Sequence, residues 1–461
     1  MSSFPTARKP PGPFPVPNAT VPYWRTEPHA LDTYRSTLDL PDLSDVIIVG
    51  AGFAGVTAAY YLLTDDASER PSVTLLEARE ACSGATGRNG KPRGHLRPDY
   101  ILDVAERAAS HGVEFANELA LFEVANAEAV KDLIRKEGIA CELHECTTGY
   151  AFLDEVVAAE LKKQYDELIE LDCPTVKEVK YYGPSDAEDV TAVKGAKAAF
   201  TFPAATLWPY KMVLGVLERA VQGGLNLQTE TPVLQVSETP DSEGYWTLTT
   251  PRGTTRAKQV IIATNAYTAG ILPEYASHII PIRGMCGRVK PMSPKPASAP
   301  QMLHSSATEY VSFGHDYHGT QPDGSFVVGG TFAPLRKHAT RYGVVDDASL
   351  YDPELVEGVF EGWLQQSFKG WENVKTKVQE TWTGIFGSTS DRLPHIGRVP
   401  GRPGMFICAG FNGHGMPNVL LCSKAVVQMM QTGCAFAETG VPTGYETSTE
   451  RLAAPGEVMN A

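Results

Sequence analysis

The sequence has no apolar run long enough to cross a bilayer, which takes roughly 18 to 20 consecutive apolar residues. Its first residues are polar and rich in proline, and they lack the charged start and apolar core of a secretory leader. We therefore expect no membrane-spanning helix, no membrane partner and a cytoplasmic protein.

Positive charge is also scarce. The 461 residues contain 40 lysines and arginines against 54 aspartates and glutamates, for a net charge of −14. We expect no nucleic-acid partner, because binding phosphates requires a basic surface. The negative charge would favour a cationic amine substrate, but solubility is the better explanation for it.

Cysteine pairs with metal-binding or redox spacing are missing. The eight cysteines stand at positions 82, 141, 146, 173, 286, 408, 422 and 434, with no CxxC among them. Cys141, His144 and Cys146 lie close together but lack the spacing and the second ligand pair of a tetrahedral zinc site. We expect no metal ion and free thiols, which are the default in a chain without an export signal.

What the sequence does contain is a strand, a glycine-rich turn and a helix in direct succession. Residues 46–49 (VIIV) are four β-formers, the pattern of a strand buried on both faces. A GxGxxG motif follows, with Gly50 at the tight turn, Gly52 where a pyrophosphate approaches, and Gly55 where the helix packs on the strand. An anion would then lie on the free amides at the helix N-terminus.

A second strand pattern strengthens this interpretation. Residues 73–76 (VTLL) end at Glu77, whose carboxylate is placed to accept hydrogen bonds from a ribose diol. A GxGxxG motif alone is weak evidence for a dinucleotide site, because glycine-rich turns also occur in other α/β proteins. With strand, helix, second strand and terminal acid in order, the sequence predicts a dinucleotide site.

The N-terminal part outside this unit predicts an arm and a helical region. Residues 1–22 are rich in proline and predict either an extended arm on the surface, which Tyr23 and Trp24 would anchor to the body, or a disordered segment. Apolar positions spaced by three and four residues predict long helices within residues 100–138.

The C-terminal half predicts a second sheet and a second glycine-rich turn. Residues 279–289 and 326–330 have strand patterns that we assign to an antiparallel sheet. Residues 405–409 (MFICA) predict a buried strand, and a glycine-rich turn at 410–415 and a helix at 416–431 follow it.

Together these features resemble the FAD-dependent oxidoreductases related to D-amino-acid, glycine and sarcosine oxidases. The resemblance covers nearly the whole chain, and its details look most like the γ-glutamylputrescine oxidases. Besides GxGxxG, it rests on GATGRNG at residues 84–90, ATNA at 263–266, GSFVVGG at 324–330, residues 382–397 and GFNGHG at 410–415.

The resemblance implies FAD as the cofactor. The ADP half would lie on the first glycine-rich turn, the adenine on the backbone of Val233, and the flavin N1 and C2 carbonyl on the late turn, where a positive helix end favours a reduced flavin. NAD is the alternative, but it does not need the second turn and helix. The implied cofactor-binding residues are Gly50, Gly52, Phe53, Ala54, Gly55, Glu77, Arg79, Thr86, Arg88, Asn89, Gly90, Val233, Gly413, His414, Gly415 and Met416.

The implied chemistry is hydride transfer from the carbon beside an amine nitrogen to the flavin, which gives an imine. The cofactor supplies the reactivity, and the protein orients the substrate and excludes water. Molecular oxygen is then a candidate electron acceptor, but oxidase and dehydrogenase both stay open. Two histidines in the flavin-facing segments, His95 and His414, are the candidate catalytic residues, with a structural role as the alternative for each.

Two positions depart from the family pattern. Glycine-oxidase-like members carry an arginine for the substrate carboxylate where this chain has Phe386, and a phenyl ring cannot replace a bidentate guanidinium. We therefore expect a substrate other than a simple α-amino acid. Sarcosine-oxidase-like members attach flavin through a cysteine that aligns with Gly384, so we expect non-covalent FAD, with His95 as a remote attachment candidate.

A third departure is an insertion of residues 91–93 (KPR) after GRNG. It would either form a surface bulge or reshape the flavin site, and the second case would give a catalytically silent flavin-binding protein. A flavin dehydrogenase or monooxygenase acting on a specialised metabolite is the other alternative function.

The predicted fold class is α/β, with a Rossmann-like FAD-binding domain and an interleaved mixed-sheet (α+β) substrate domain. The predicted division is an N-terminal arm at 1–44, FAD-binding segments at 45–140, 201–278 and 378–461, the last including a C-terminal tail, and substrate-domain segments at 141–200 and 279–377.

Overall fold

The computed structural model describes residues 13–64, 70–89, 94–296, 299–311, 314–330, 341–350 and 353–455. The predictions made for Gly90 and for the insertion at 91–93 fall outside these residues. In chain order, the strands are β1 (Leu43–Val49), β2 (Val73–Leu76), β3 (His95–Leu96), β4 (His144–Phe152), β5 (Lys180–Tyr182), β6 (Ala198–Thr206), β7 (Asn226–Gln228), β8 (Gln235–Val236), β9 (Trp246–Thr250), β10 (Gly253–Ile262), β11 (Ile279–Pro291), β12 (Ser305–Val311), β13 (Gly314–Thr320), β14 (Phe326–Gly330), β15 (Thr376–Thr389), β16 (His395–Arg398) and β17 (Met405–Ala409).

The helices of the described residues connect and cover these strands. They are α1 (Phe53–Thr64), α2 (Leu102–His111), α3 (Val113–Glu137), α4 (Glu155–Glu170), α5 (Ala187–Thr191), α6 (Pro209–Gln222), α7 (Pro353–Glu361), α8 (Trp363–Ser367), α9 (Val419–Thr432) and α10 (Thr449–Ala453). The long helices predicted within 100–138 are α2 and α3, and α3 stops at Gly138 in the left-handed conformation (φ +63°).

The first sheet has a parallel centre in the order β16, β17, β10, β1, β2, β7. Within it, Ile47 of β1 pairs with Thr74 of β2 on one side and with Val260 of β10 on the other. Alternate side chains of β1 enter different apolar clusters, Ile48 on the side of α1 and Ile47 on the side of β9. The strand predicted from residues 46–49 is therefore buried on both faces, as expected.

The second sheet is mixed. Its order is β15, β11, β14, β13, β12, β4, β6, β3, and β5 pairs with β6. β4 and β12 are parallel, and the other described pairs are antiparallel. The strands predicted at 279–289 and 326–330 are β11 and β14, which pair antiparallel as predicted.

The two sheets alternate along the chain, which confirms the predicted fold class of a Rossmann-like domain with an interleaved mixed-sheet domain. Three strands do not follow the predicted division. β3 lies within the segment predicted to bind FAD but pairs in the second sheet, and β6 runs across the predicted boundary at 201. β15 begins before the predicted boundary at 378 and belongs to the second sheet. The exact domain boundaries stay a prediction.

The N-terminal arm is anchored by aromatic residues. Trp24 is fully buried, and its ring meets those of Tyr23 and Trp208 with centroids 5.1 and 5.7 Å away. Trp208 Nε1 also donates to the Trp24 carbonyl at 2.7 Å. No helix in the described part of the chain is both long enough and apolar enough to cross a membrane.

The close approach of α1 to β1 generates a stability prediction. A Cβ added at Gly55 would lie 1.9 Å from the Gly50 carbonyl oxygen, whereas one added at Gly84 would meet nothing within 4 Å. Although alanine is the better helix former, we expect Gly55→Ala to destabilise the protein by about 2 kcal/mol or more, because α1 must move away from β1. The measurement is the unfolding midpoint, with Gly84→Ala as the matched control. Equal midpoints for both variants would contradict this account of the packing.

Candidate active site

A cavity of about 510 Å³ lies between the two sheets. On the side of the first sheet it is lined where β1, β2, β10 and β17 end, at Gly50, Glu77, Ala263 and Cys408. On the other side it is lined by residues of β11, β13 and β15. Open α/β sheets bind ligands at the carboxyl ends of their parallel strands, so the cavity has the position of a nucleotide site.

The first glycine-rich turn presents open amides to this cavity. Gly50 has φ +106°, a conformation that favours glycine. The amide of Phe53 donates to Thr86 Oγ1 at 3.2 Å, which holds Thr86 beside the turn. The amides of Gly52 and Ala54 donate to no acceptor among the described residues. Open amides at the start of a helix suit a phosphate.

Glu77 is fixed by the backbone on both carboxylate oxygens. Oε2 accepts from the amide of Ala51 at 2.7 Å, and Oε1 accepts from the amide of Arg79 at 3.0 Å. Each oxygen keeps a lone pair for a further donor. The carboxylate lines the cavity and is therefore suited to hold two ribose hydroxyls, as the sequence predicts.

Val233 offers a backbone edge to the same cavity. Within the described part of the chain, neither its amide nor its carbonyl makes a hydrogen bond, and the residue is buried. A buried donor and acceptor side by side call for a partner, and the edge of an adenine supplies a matching acceptor and donor.

Arg79 and Arg88 line the cavity, but both guanidinium groups are engaged by one carboxylate that sequence reasoning missed. Arg79 forms two hydrogen bonds to Asp347, at 2.9 and 3.1 Å, and Arg88 Nε lies 3.4 Å from Asp347 Oδ2. The Asp347 side chain is completely buried. Burial lowers the pKa of Arg88 to about 10, and Asp347 opposes that shift. Both arginines therefore join segments of the protein together, in addition to facing the site.

Two tryptophans hold the segment that is predicted to lie along the pyrophosphate and the flavin. Trp382 Nε1 donates to the carbonyl of Arg88 at 3.0 Å, and Trp24 Nε1 donates to that of Asn89 at 2.6 Å. The buried side-chain oxygen of Asn89 has no hydrogen-bond partner in the described residues and lines the cavity. A Cβ at Gly384 would lie 3.2 Å from the Arg88 Cβ, so this position has little room for a cysteine.

The late glycine-rich turn is shaped by left-handed residues. Asn412 has φ +53° and Gly413 has φ +70°, and Asn412 Oδ1 accepts from the amide of Thr389 at 2.7 Å. The amides of Gly415 and Met416 donate to no acceptor in the described ranges. Helix α9 begins three residues after Met416, later than predicted, but it still follows the turn directly. The open amides suit the electron-rich edge of a flavin.

His414 of this turn is paired with a buried glutamate. Its Nε2 lies 2.9 Å from Glu123 Oε2, which also accepts from the amide of Asp99 at 2.8 Å. Arg107 Nη1 lies 3.7 Å from the other Glu123 oxygen. Burial raises the pKa of this carboxyl, but His414 and Arg107 outweigh it, so the pKa of Glu123 lies below its ordinary value of 4.5.

A second group of polar residues begins on β3, the strand after the GRNG segment. His95, in β3, is buried and lines the cavity, as does Arg97. The guanidinium carbon of Arg97 lies 4.7 Å from the centre of the Tyr150 ring, and Tyr150 donates to Asp99 at 3.1 Å. Burial and nearby carboxylates raise the pKa of Asp99.

The guanidinium of Arg97 has unused donors. The residue is only 4 % exposed, yet its Nε and Nη1 have no hydrogen-bond partner among the described residues. A buried, unpaired charge is costly, so the arrangement suits an anionic ligand in the cavity. Phe386, at the position where related proteins carry arginine, points its ring towards Gly413 and Gly284 and also lines the cavity.

Four important residues carried no sequence signal of their own: Asp347, Glu123, Asp99 and Arg97. Each stands among ordinary helix, strand or loop residues, and its role arises from partners far away along the chain. The glycines and Glu77, in contrast, act through neighbours in sequence, which is why the pattern identified them.

The Glu123 pair generates a pH-dependent prediction. Because its pKa is lowered by folding, Glu123 stabilises the protein above about pH 4.5, and the contribution is lost as pH falls through the lower folded value. We expect Glu123→Gln to lower the free energy of unfolding by about 3 kcal/mol at neutral pH, as for a broken buried pair. The difference in unfolding free energy between the variant and the natural protein should become smaller in acid. The measurement is the unfolding midpoint against pH, with Glu128→Gln as control, since that side chain is 57 % exposed on the same helix. A pH-independent difference would contradict the role of the ion pair.

Comparison with known proteins agrees with this geometry. Residues 45–429 match the model of the DAO family, described as FAD dependent oxidoreductase. The chain is 25 % identical to gamma-glutamylputrescine oxidoreductase of Escherichia coli (strain K12) over 407 residues, which cover 86 % of this chain and 85 % of that protein. It is 24 % identical to the probable oxidoreductase OrdL of Rhizobium meliloti (strain 1021), with 84 % and 82 % of the two chains covered.

Solved structures show the same fold. Glycine oxidase from Geobacillus kaustophilus superposes with a TM-score of 0.66 at 20 % identity, covering 87 % of this chain and 98 % of that one. Iminodiacetate oxidase from Chelativorans sp. BNC1 superposes with a TM-score of 0.62 at 18 % identity, covering 83 % and 94 %. The prediction of FAD as cofactor is confirmed. With this cavity and a match over residues 45–429, the chain belongs to the DAO family of FAD-dependent oxidoreductases.

Proposed function

We propose that this protein oxidises the carbon–nitrogen bond of a small-molecule amine, with FAD held non-covalently. The observation that carries the proposal is one continuous cavity, in which the residues suited to a dinucleotide meet a chamber lined by Arg97, Tyr150 and Phe386. Relatives whose names include gamma-glutamylputrescine oxidoreductase and iminodiacetate oxidase support oxidation next to an amine nitrogen.

In this reaction the substrate loses a hydride from the carbon beside nitrogen and a proton from the nitrogen, which leaves an imine. Bound FAD supplies the two-electron acceptor. The chain's own part is to bind the neutral amine, to orient its C–H bond and to keep water away. Phe386 and Met285 give the chamber apolar surface for this purpose.

Of the two predicted catalytic histidines, His414 has its ring held by a buried partner, because its Nε2 lies 2.9 Å from Glu123 Oε2. His95 is buried in β3. Both residues line the cavity, and their catalytic roles stay a prediction.

The proposed substrate is bulkier than a simple α-amino acid. Phe386 removes the guanidinium that would hold a carboxylate on β15, and Arg97 supplies one on a different wall. An amine that carries an anionic group would therefore be bound through Arg97, because a guanidinium forms paired hydrogen bonds with a carboxylate.

An anaerobic reduction experiment tests the reaction class. The purified yellow holoenzyme is mixed without oxygen with a panel of primary and secondary amines, and the flavin absorbance is followed. We expect one or more amines to bleach the flavin, because an amine bound in the proposed chamber would lie close to the cofactor. Admitting air then distinguishes an oxidase, which recovers its colour quickly, from a dehydrogenase. A flavin that no amine reduces would overturn the proposed function.

The role of Arg97 is tested with amines that carry a carboxylate on a longer chain and with their matching amides. We expect Arg97→Met to weaken binding of the carboxylates by about 10- to 100-fold, because charge-assisted hydrogen bonds are lost, and to leave the amides nearly unchanged. Arg97→Lys should recover part of the affinity, since it keeps the charge without the planar fork. Binding is measured as a perturbation of the flavin spectrum, which does not require turnover.

Arg392→Met is the matched control. This arginine also lines the cavity, but it already pairs with Asp103 at 3.3 Å and with Glu106. If both arginine variants weakened the carboxylates equally, the effect would reflect general charge, and the assignment of Arg97 would fail.

A further inference from the structure

The N-terminal arm contributes Phe14 and Pro15 to the wall of the cofactor cavity. At one end of this stretch, Pro13 and Phe14 lie against Gly270: a Cβ added there would be 2.4 Å from the Pro13 carbonyl oxygen and 3.0 Å from the Phe14 ring. Gly270 ends the short helical segment that follows β10. A side chain at this position would displace the arm.

At the other end, the arm is tied to residues that surround the cavity. The carbonyl of Val16 accepts from Arg79 Nη1 at 3.1 Å. The amide of Thr20 donates to the Asp347 carbonyl at 2.8 Å, and Thr20 Oγ1 accepts from the amide of Thr383 at 3.1 Å. The path of the arm is therefore fixed on both sides of Phe14 and Pro15.

This path lies over the adenosine half of the site. Arg79 stands two residues after Glu77, and the Glu77 carbonyl accepts from the amide of Thr231 at 2.7 Å, next to the segment that contains Val233. Val233 in turn belongs to the apolar cluster against which Ile271 packs, beside Gly270. The two anchors of the arm thus flank the residues suited to ribose and adenine.

Phe14 and Pro15 line the cavity and are half-buried. We propose that these two side chains form the outer wall of the adenosine subsite, so that the N-terminal arm is part of the FAD-binding machinery. Val233 can satisfy the edge of an adenine, but not its face. A phenyl ring and a proline ring offer apolar surface to a flat base and keep water from the hydrogen bonds between Glu77 and a ribose.

The test measures how fast FAD leaves the holoenzyme after dilution, as the rise of flavin fluorescence. We expect Phe14→Ala to release FAD about tenfold faster, the effect of losing one base–aromatic contact. Phe14→Tyr should release it at nearly the natural rate, and Phe14→Leu at an intermediate rate, because leucine keeps the packing on Gly270 without an aromatic face. The visible absorption spectrum of bound flavin should stay unchanged in all three.

Val21→Ala is the matched control, since Val21 belongs to the same arm but is 66 % exposed. Release at the natural rate from Phe14→Ala would overturn the proposal. If the alanine variant yields no holoenzyme, the leucine and tyrosine variants decide: equal rates for both would show that Phe14 acts by packing alone and would also overturn it. Equal acceleration by Val21→Ala would show a general cover without contact to the base. The readout needs no substrate, so its outcome is independent of the proposed amine oxidation.

Discussion

The carboxylate of Asp347 is the interaction on which the arrangement around the cavity depends. It accepts hydrogen bonds from Arg79, which follows β2 of the first sheet. It also forms an ion pair with Arg88, which ends the short helical segment that comes after Arg79. Its own backbone carbonyl accepts from Thr20 of the arm and from Thr383 of β15. Removing a carboxylate completely from water is costly, and two guanidinium groups offset that cost. One residue therefore connects the arm, both sheets and the segment that is predicted to lie along the flavin.

The opposite side of the cavity is organised by a second buried carboxylate, Glu123. There the partners are His414 from the late turn, Arg107 from α2 and the amide of Asp99. His414 and Glu123 are 291 residues apart in sequence, so their pairing adds a long-range contact to the local geometry that shapes the turn. Two charged clusters thus contribute residues to the cavity wall, and the same wall carries the open backbone amides that suit an anionic cofactor.

Local chemistry explains what could be predicted from sequence and what could not. The turn at Gly50, Gly52 and Gly55 and the acid at Glu77 were predicted because their function needs particular residues at short, fixed spacing. The two sheets followed from apolar runs and from the resemblance to a family. Asp347, Glu123 and Arg97 were not predicted, because a lone charged residue has no periodic signature and takes its meaning from partners that only tertiary folding supplies. Helix α9 begins three residues later than predicted, because Asn418 takes the N-cap position and Pro417 stands before it.

The parallel pairing of the first sheet also has a consequence for the order of events during synthesis. β1 pairs with β2 nearby in sequence, but its other neighbour, β10, lies some 200 residues further along, and β17 with its glycine-rich turn comes about 150 residues after that. A ribosome therefore synthesises β1, β2 and β10 long before β17 and the late glycine-rich turn complete this end of the cavity. Contacts so distant in sequence form slowly, and partly made chains expose apolar strands in the meantime. FAD can therefore bind fully only after β17 and the late turn have joined the first sheet. A supply of FAD during expression should matter most at that stage.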